Sequence, residues 1–232
     1  MGDSQWIEWI AQQASDHFLF ILLLIGTVFN LVWLLKLQDR LRFRAPLVLL
    51  LSALHTVFGV ACVKLFAFLE NGEAGGMSLF GGIFFMPVFY ILVTRLTKRK
   101  AADVFDVFTV CMLFTVMCAR ISCIINGCCR GLIIPGTQLR FPTRELEIVY
   151  YIGMLVVLIP WVRKERHIGG VYPFYMATYG AFRFIIEFFR VSDSGTMVHL
   201  AHFWAALALA AGLSIYLEIS ARNQKGKKVI RK

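Results

Sequence analysis

The chain has 232 residues, of which 59% are hydrophobic and 16% charged, and its mean hydropathy is +0.71. About a quarter of the residues of a soluble domain are charged, so this composition excludes an ordinary water-soluble enzyme and a disordered chain, and it is typical of a polytopic membrane protein. The net charge of +10 indicates cationic loops on the cytoplasmic side of a membrane rather than a nucleic-acid partner, and the six cysteines are too few and too scattered for a secreted disulfide framework.

Seven apolar stretches follow one another along the chain, each about as long as a helix that crosses the hydrocarbon core. They are His17–Leu37, Ala45–Leu69, Gly76–Val93, Asp103–Ile125, Leu146–Val162, Gly170–Phe189 and Val198–Ile219. The predicted fold is therefore all-α, a single membrane domain over residues 1–232 with seven transmembrane helices. Residues 1–16 are expected to form an external interfacial segment, and residues 220–232 a basic cytoplasmic tail.

Lysine and arginine set the expected orientation. Seventeen of the 24 lie in the tail and in connections on the same side, and four lie in connections on the other side: Arg130, Arg140, Arg144 and Arg190. Positively charged loops stay in the cytoplasm. The N-terminus is therefore predicted to be outside and the C-terminus in the cytoplasm, which requires an odd number of spans.

Three basic residues remain inside the predicted spans, namely Lys64, Arg120 and Arg183. An ionisable side chain in hydrocarbon is costly and marks a candidate functional residue, although Lys64 is close enough to its span end for the side chain to reach the surface. Arg183 can pair with Glu187, four residues later on the same helix face, and Arg190 continues this stripe outward. Because the planar guanidinium group suits phosphate, the stripe is a candidate phosphate site.

A second candidate region ends the fourth predicted span. Arg120, Cys123 and Asn126 recur every three residues and share roughly one helical face. Gly127 and Gly131 follow and permit a tight turn. A basic, amide-bearing, glycine-rich turn at the lipid interface predicts a lipid head-group site.

Four segments, in this order, resemble the signatures of the prolipoprotein diacylglyceryl transferases. Ser78–Gly82, which contains Gly81 and Gly82, is similar to the family's Ser-Phe-His-Gly-Gly element. Arg120–Gly131 resembles Gly-Arg-x-Gly-Asn-Phe-x-Asn-Gly-Glu-x-x-Gly, and Phe141–Glu147 resembles His-Pro-Ser/Thr-Gln-Leu-Tyr-Glu. Tyr179–Arg190 fits Tyr-Gly-x-x-Arg-Phe-x-x-Glu-Phe-x-Arg almost perfectly and is the most specific of the four.

The resemblance implies transfer of a diacylglyceryl group from phosphatidylglycerol to the lipobox cysteine of a prelipoprotein signal peptide. The expected setting is the bacterial inner (cytoplasmic) membrane, with multiple spans, membrane lipids as partners and no cofactor or metal. The resemblance implies that Arg120 and Arg183, supported by Glu187, are catalytic. It also implies a set of substrate-binding residues: Asn126, Gly127, Gly131, Arg190, Gly81 and Gly82.

Several positions depart from the family signatures, among them Arg144-Glu145-Leu146, which replaces the Gln-Leu-Tyr of the third. Phe80 replaces the histidine, Cys123 the first asparagine and Cys128 the glutamate, and Cys129 follows. The three cysteines form a candidate redox cluster, suited to thiol–disulfide exchange or to a soft metal such as Cu(I), while a loop staple or reduced thiols are the favoured interpretation. The alternative functions are a related membrane transferase with a different acceptor, an outward-facing thiol–disulfide protein and a transport protein.

Overall fold

The computed structural model describes residues 3–72, 76–191 and 198–230, with side chains described for 17–70, 72, 76–191 and 198–223. Helices account for most of these ranges. They are α1 (Asp3–Lys36), α2 (Gln38–Leu41), α3 (Ala45–Asn71), α4 (Phe80–Thr97), α5 (Ala101–Ile125), α6 (Thr143–Arg163), α7 (Val171–Glu187) and α8 (Leu200–Ile230). An isolated antiparallel bridge between Gly131 and Arg190 joins the loop after α5 to the loop after α7, and a second, between Ile133 and Arg140, lies within the loop after α5.

Six stretches of helix in the described residues are long and apolar enough to cross a membrane. They are His17–Lys36, Ala45–Glu70, Phe80–Thr97, Ala101–Ile125, Thr143–Arg163 and Leu200–Asn223. Large apolar side chains point outward from them, and Phe20, Leu24 and Val28 of α1 are 68%, 53% and 53% exposed. An apolar outer surface of this extent requires lipid rather than water. The chain is therefore a polytopic membrane protein.

Six of the seven predicted spans agree with these six stretches to within a few residues, whereas the sixth predicted span, Gly170–Phe189, corresponds to α7, which is not among them. Two further differences concern helix ends. The first span and the segment before it form one continuous helix from Asp3, and the proposed interfacial side chains of 1–16 lie outside the described side chains. The sixth predicted span continued to Phe189, whereas α7 ends at Glu187. Arg190 therefore lies beyond the helix instead of on its face. The loop pairing is the reason, because Leu132 donates its N–H to the Phe189 carbonyl (2.8 Å).

The beginning of α7 is fixed to α5 by a buried carboxylate. Asp106 of α5 accepts the backbone N–H groups of Gly169 (2.8 Å) and Val171 (3.2 Å), which satisfies donors that a helix start leaves free. Arg40 joins the same cluster through Asp103 (2.7 Å) and Asp106 (3.6 Å). This contact sets the axial position of α7 against α5.

Two glycines bring α7 and α8 into backbone contact. A Cβ atom on Gly180 would lie 2.7 Å from the Ala205 carbonyl oxygen, and one on Gly212 would lie 2.8 Å from that of Pro173. Only a residue without a side chain allows so close an approach. The same packing holds the residues that precede α8 beside the end of α7.

Candidate functional site

Two buried arginines meet at one buried carboxylate. Arg120 of α5 and Arg183 of α7 are each 5% exposed, and Glu147 of α6 is 2% exposed. One oxygen of Glu147 lies 2.5 Å from Arg120 Nε, and the other lies 2.5 Å from Arg183 Nη1. The carboxylate thus holds together two cations that would otherwise repel each other.

A second carboxylate extends this ion cluster. Glu187 Oε2 lies 2.6 Å from Arg183 Nη2, which confirms the pair that the helical spacing predicts, and 3.8 Å from Arg190 Nη1. The other oxygen, Oε1, lies 2.9 Å from Nε2 of His199, the residue before α8. Three helices and the connection between α7 and α8 therefore contribute to one ion cluster.

The arginines of this cluster outnumber its carboxylates. Arg120, Arg183 and Arg190 carry three positive charges against the two carboxylates Glu147 and Glu187. Among the described residues, the buried Nε of Arg183 also has no hydrogen-bond acceptor. An excess positive charge with an unused guanidinium donor suits an anion such as a phosphodiester.

The ion cluster borders a cavity of about 460 Å³, here called the polar cavity. Such a volume is within the range of small-ligand sites. The lining residues that matter here are Phe80, Arg120, Tyr179, Arg183, Glu187 and His199. A second cavity of about 390 Å³, here called the apolar cavity, lies between α1, α3, α4 and α5. Arg120, together with Met77 and Leu79, lines both cavities, so the two cavities adjoin at these residues.

Phe80, which stands where the family signature has a histidine, belongs to this site. Its ring centroid lies 6.0 Å from Cζ of Arg183, within the range of a cation–π contact. The aromatic ring also stacks edge-on against Tyr179. Phe80 therefore supports the position of the arginine, a role that needs no titratable group.

The three cysteines at the end of α5 come together. The Sγ atoms of Cys123, Cys128 and Cys129 all lie within 4.8 Å of one another, and the three are free thiols. Cys129 Sγ accepts hydrogen bonds from Arg190 Nη2 (2.9 Å) and Arg120 Nη1 (3.5 Å). Hydrogen bonds from the Cys123 and Cys128 thiols, aided by the two arginine charges, hold the pKa of Cys129 well below its ordinary value. This thiol cluster therefore touches the ion cluster directly.

The turn after α5 has the conformation that its glycines permit. Gly127 has a φ of +65°, and Arg190 reaches the thiol cluster because it pairs with Gly131. The Phe141 carbonyl packs against Gly131 so closely that a Cβ atom has no space. The amide of Asn126 donates to Ser122 Oγ (3.4 Å) and lines the apolar cavity. These predicted site residues therefore lie beside the ion cluster but outside it.

The glycine pair of α4 is divided between two roles. Gly81 lies against the Cys62 carbonyl of α3, where a Cβ atom would clash, so it allows the two helices to pack closely. Gly82 lines the apolar cavity. Lys64, in contrast to the buried arginines, is exposed.

Glu147 belongs to the candidate site but was missed by reasoning from the sequence. Two signals point to it: it closes the segment Phe141–Glu147 that resembles a family signature, and it is a carboxylate inside the predicted span Leu146–Val162. An acidic residue inside a span is a candidate site residue for the same reason as a basic one, because either charge is costly in hydrocarbon. Its partners are 27 and 36 residues away in sequence, so no local spacing reveals them.

Comparison with known proteins identifies relatives. The family model for prolipoprotein diacylglyceryl transferase matches residues 21–219. Similar curated proteins are the phosphatidylglycerol–prolipoprotein diacylglyceryl transferases of Escherichia coli K12, Citrobacter koseri and Shigella boydii. Each is 28% identical over 153 residues, which is 52% of this chain and 53% of the relative. The chain thus spans about half the length of the curated relatives that it matches.

Proposed function

Because the chain belongs to the prolipoprotein diacylglyceryl transferase family, we propose that it transfers the diacylglyceryl group of phosphatidylglycerol to the thiol of a lipobox cysteine. The observation that carries this proposal is the buried ion cluster on the polar cavity, with its excess positive charge and unused donor on Arg183. A phosphodiester is an anion whose oxygens would accept hydrogen bonds from these guanidinium groups.

The reaction replaces a carbon–oxygen bond by a carbon–sulfur bond. The acceptor thiol loses its proton to solvent, the thiolate attacks the glyceryl carbon next to the phosphate, and glycerol phosphate leaves with the electrons of the C–O bond. The leaving phosphate gains negative charge, because a monoester carries 1.5 to 2 charges near pH 7. Arg183 and Arg120 stabilise that charge in a site shielded from water, and they also favour the thiolate form of the acceptor.

The other residues of the site position these two arginines and the substrate. Glu147 and Glu187 fix the guanidinium groups, and Arg190 holds Glu187 from the loop. Asn126, Gly127 and Gly131 shape the turn that approaches the lipid head group, and Gly82 borders the apolar cavity, which suits an acyl chain. Gly81 contributes by letting α4 lie close to α3.

We place the enzyme in the bacterial inner membrane as a single domain with seven spans, its N-terminus outside and its C-terminus in the cytoplasm. The bacterial relatives and the distribution of lysine and arginine support this placement. The ion cluster then lies toward the outer face, where a prelipoprotein signal peptide presents its cysteine.

The proposal is tested by a transfer assay with the full chain in detergent micelles. Phosphatidylglycerol labelled in its diacylglyceryl part is mixed with a lipobox peptide, and the thioether product is measured by mass spectrometry. We expect the Arg183→Lys variant, which keeps the charge but loses the bidentate fork, to lower the rate at least about 100-fold. Arg222→Lys is the matched control, because Arg222 is exposed and pairs with the exposed Glu218 of α8.

Product from a peptide with serine in place of cysteine would contradict a thiol acceptor. Full activity of Arg183→Lys would contradict the role of the guanidinium group. Absence of product with folded, lipid-loaded protein would favour a related transferase with a different acceptor.

A further inference from the structure

The thiol cluster contains more ligand atoms than the proposed reaction uses. The relatives' name requires a lipid and a protein substrate, and the ion cluster accounts for the phosphate. Cys123, Cys128 and Cys129 are left with three sulfurs within 4.8 Å of one another. We propose that they bind one thiophilic divalent cation of the zinc class.

The distances between the sulfurs suit such an ion. Zinc binds thiolate sulfur at about 2.3 Å in tetrahedral geometry, which sets its sulfurs about 3.8 Å apart. The three Sγ atoms lie within 4.8 Å of one another. Side-chain rotations that move each sulfur by about an ångström or less would bring all three to bonding distance from one ion. A hard cation is disfavoured, because Mg²⁺ and Ca²⁺ select oxygen ligands.

The backbone supports this convergence. Cys123 lies in the last turn of α5, and the turn at Gly127 (φ +65°) reverses the chain so that the next two residues face it. Cys129 has a φ of +57°, a conformation that is uncommon for a residue with a side chain. This left-handed conformation directs its sulfur back toward Cys123 rather than toward the loop.

The charges around the cluster favour a metal bound by three thiolates. Such a centre has a net charge of −1, since three thiolates oppose two positive charges. Arg190 and Arg120 both donate hydrogen bonds to Cys129 Sγ, at 2.9 and 3.5 Å. Donors to a ligand sulfur stabilise the anionic centre and fix the ligand orientation. The two arginines would therefore connect the metal site to the phosphate site.

Three protein ligands leave the fourth position of a tetrahedral ion free, as in catalytic zinc sites. The three cysteines line the apolar cavity, which shares Arg120 with the polar cavity. This part of the inference rests on the proposed function: the fourth ligand would be the acceptor thiol. Its S–H bond breaks, a sulfur–metal bond forms and the proton goes to solvent, so the thiolate is presented without the histidine that Phe80 replaces.

The metal site is tested without any lipid. The full chain is reduced, stripped with a chelator and titrated with Co²⁺ in detergent. We expect one equivalent to produce thiolate-to-cobalt charge-transfer absorption and tetrahedral ligand-field bands, both removed by one equivalent of Zn²⁺. The variant with Cys62, Cys111 and Cys118 changed to serine should bind equally, because these buried residues lie outside the cluster. The matched variant with Cys123, Cys128 and Cys129 changed to serine should not bind.

A second measurement needs no variant. Zn²⁺ should slow alkylation of Cys123, Cys128 and Cys129 in the native chain by about tenfold or more, measured by peptide mass spectrometry, because a bound thiolate is a weaker nucleophile toward the reagent. Absent cobalt bands, bands retained in the cluster variant or unprotected thiols would each overturn the site.

The fourth ligand is tested by adding a lipobox peptide to the Co²⁺ form. We expect its cysteine, and not the serine analogue, to shift the ligand-field bands. An unchanged spectrum during active transfer would overturn the acceptor-binding role. Failed transfer with intact Co²⁺ binding would count against the proposed function alone.

Discussion

At the scale of single residues, Glu147 decides whether the two buried arginines can coexist. It contacts both Arg120 and Arg183 at 2.5 Å and is 2% exposed. Removing one partner of a buried ion pair leaves an unsatisfied charge, whereas an exposed pair contributes little. The arginines therefore depend on Glu147 for their position as well as for their stability.

We expect Glu147→Gln to destabilise the protein by about 3 kcal/mol and to lower transfer at least about 100-fold. The amide keeps the shape of the side chain but removes the charge that opposes two guanidinium groups. Thermal unfolding in detergent and the transfer assay measure the two effects. The matched control is Glu145→Gln, because the side chain of Glu145 is 47% exposed and lies 3.8 Å from Arg144. Equal behaviour of the two variants would contradict this role.

The sequence predicts the local part of the site better than the part formed across helices. The Arg183–Glu187 pair follows from a spacing of four residues on one helix, and Arg120 is identified because it is charged within a span. Glu147 and His199 join the site only through packing of α6 and α8 around α7. Arg190 was predicted on the helix face but reaches Glu187 from a loop, because pairing with Gly131 replaces the last helical turn.

At the scale of helices, hydropathy alone places the bundle elements well, since a run of about 20 apolar residues has no other stable structure in lipid. Hydropathy does not predict which faces of these helices pack against each other. Close contacts at Gly180 and Gly212 join α7 to α8, and neither position differs in hydropathy from glycines without a packing role. Which helices pack together depends on the shapes of their surfaces, and the hydropathy pattern of the sequence does not contain that information.

We expect Gly180→Ala to destabilise the protein by about 1–3 kcal/mol, because the added methyl group meets the Ala205 carbonyl. The thermal midpoint should fall by about 2–4 °C for each kcal/mol in a chain of this size. Gly153→Ala is the matched control, since nothing lies within 4 Å of a Cβ atom there. In α6 that change should raise helix stability slightly. A midpoint unchanged by Gly180→Ala would contradict the close contact of α7 with α8.

At the scale of the whole molecule, α7 runs parallel to α5, with the beginnings of the two helices together and their ends together. Its first residues bind Asp106 near the beginning of α5, and the loop after it pairs with the loop after α5. With 17 residues, most of them buried, α7 meets little lipid, so it needs fewer apolar side chains than an outer helix. Among the described residues, α7 is not one of the six helices long and apolar enough to span a membrane, so the proposed seventh span depends on its parallel course beside α5.

The proposed orientation predicts which loops of the chain can be reached from outside the cell. We expect Gln138→Cys and Val191→Cys to react with a membrane-impermeant maleimide in intact cells, and Lys100→Cys and Lys164→Cys to react only after permeabilisation. All four positions are exposed, so accessibility depends on the side of the membrane alone, and the labelling is done in the variant whose six cysteines are serine. The charge asymmetry requires this pattern. The reverse pattern would contradict the orientation, and equal labelling of Lys164→Cys and Val191→Cys would show that α7 does not span the membrane.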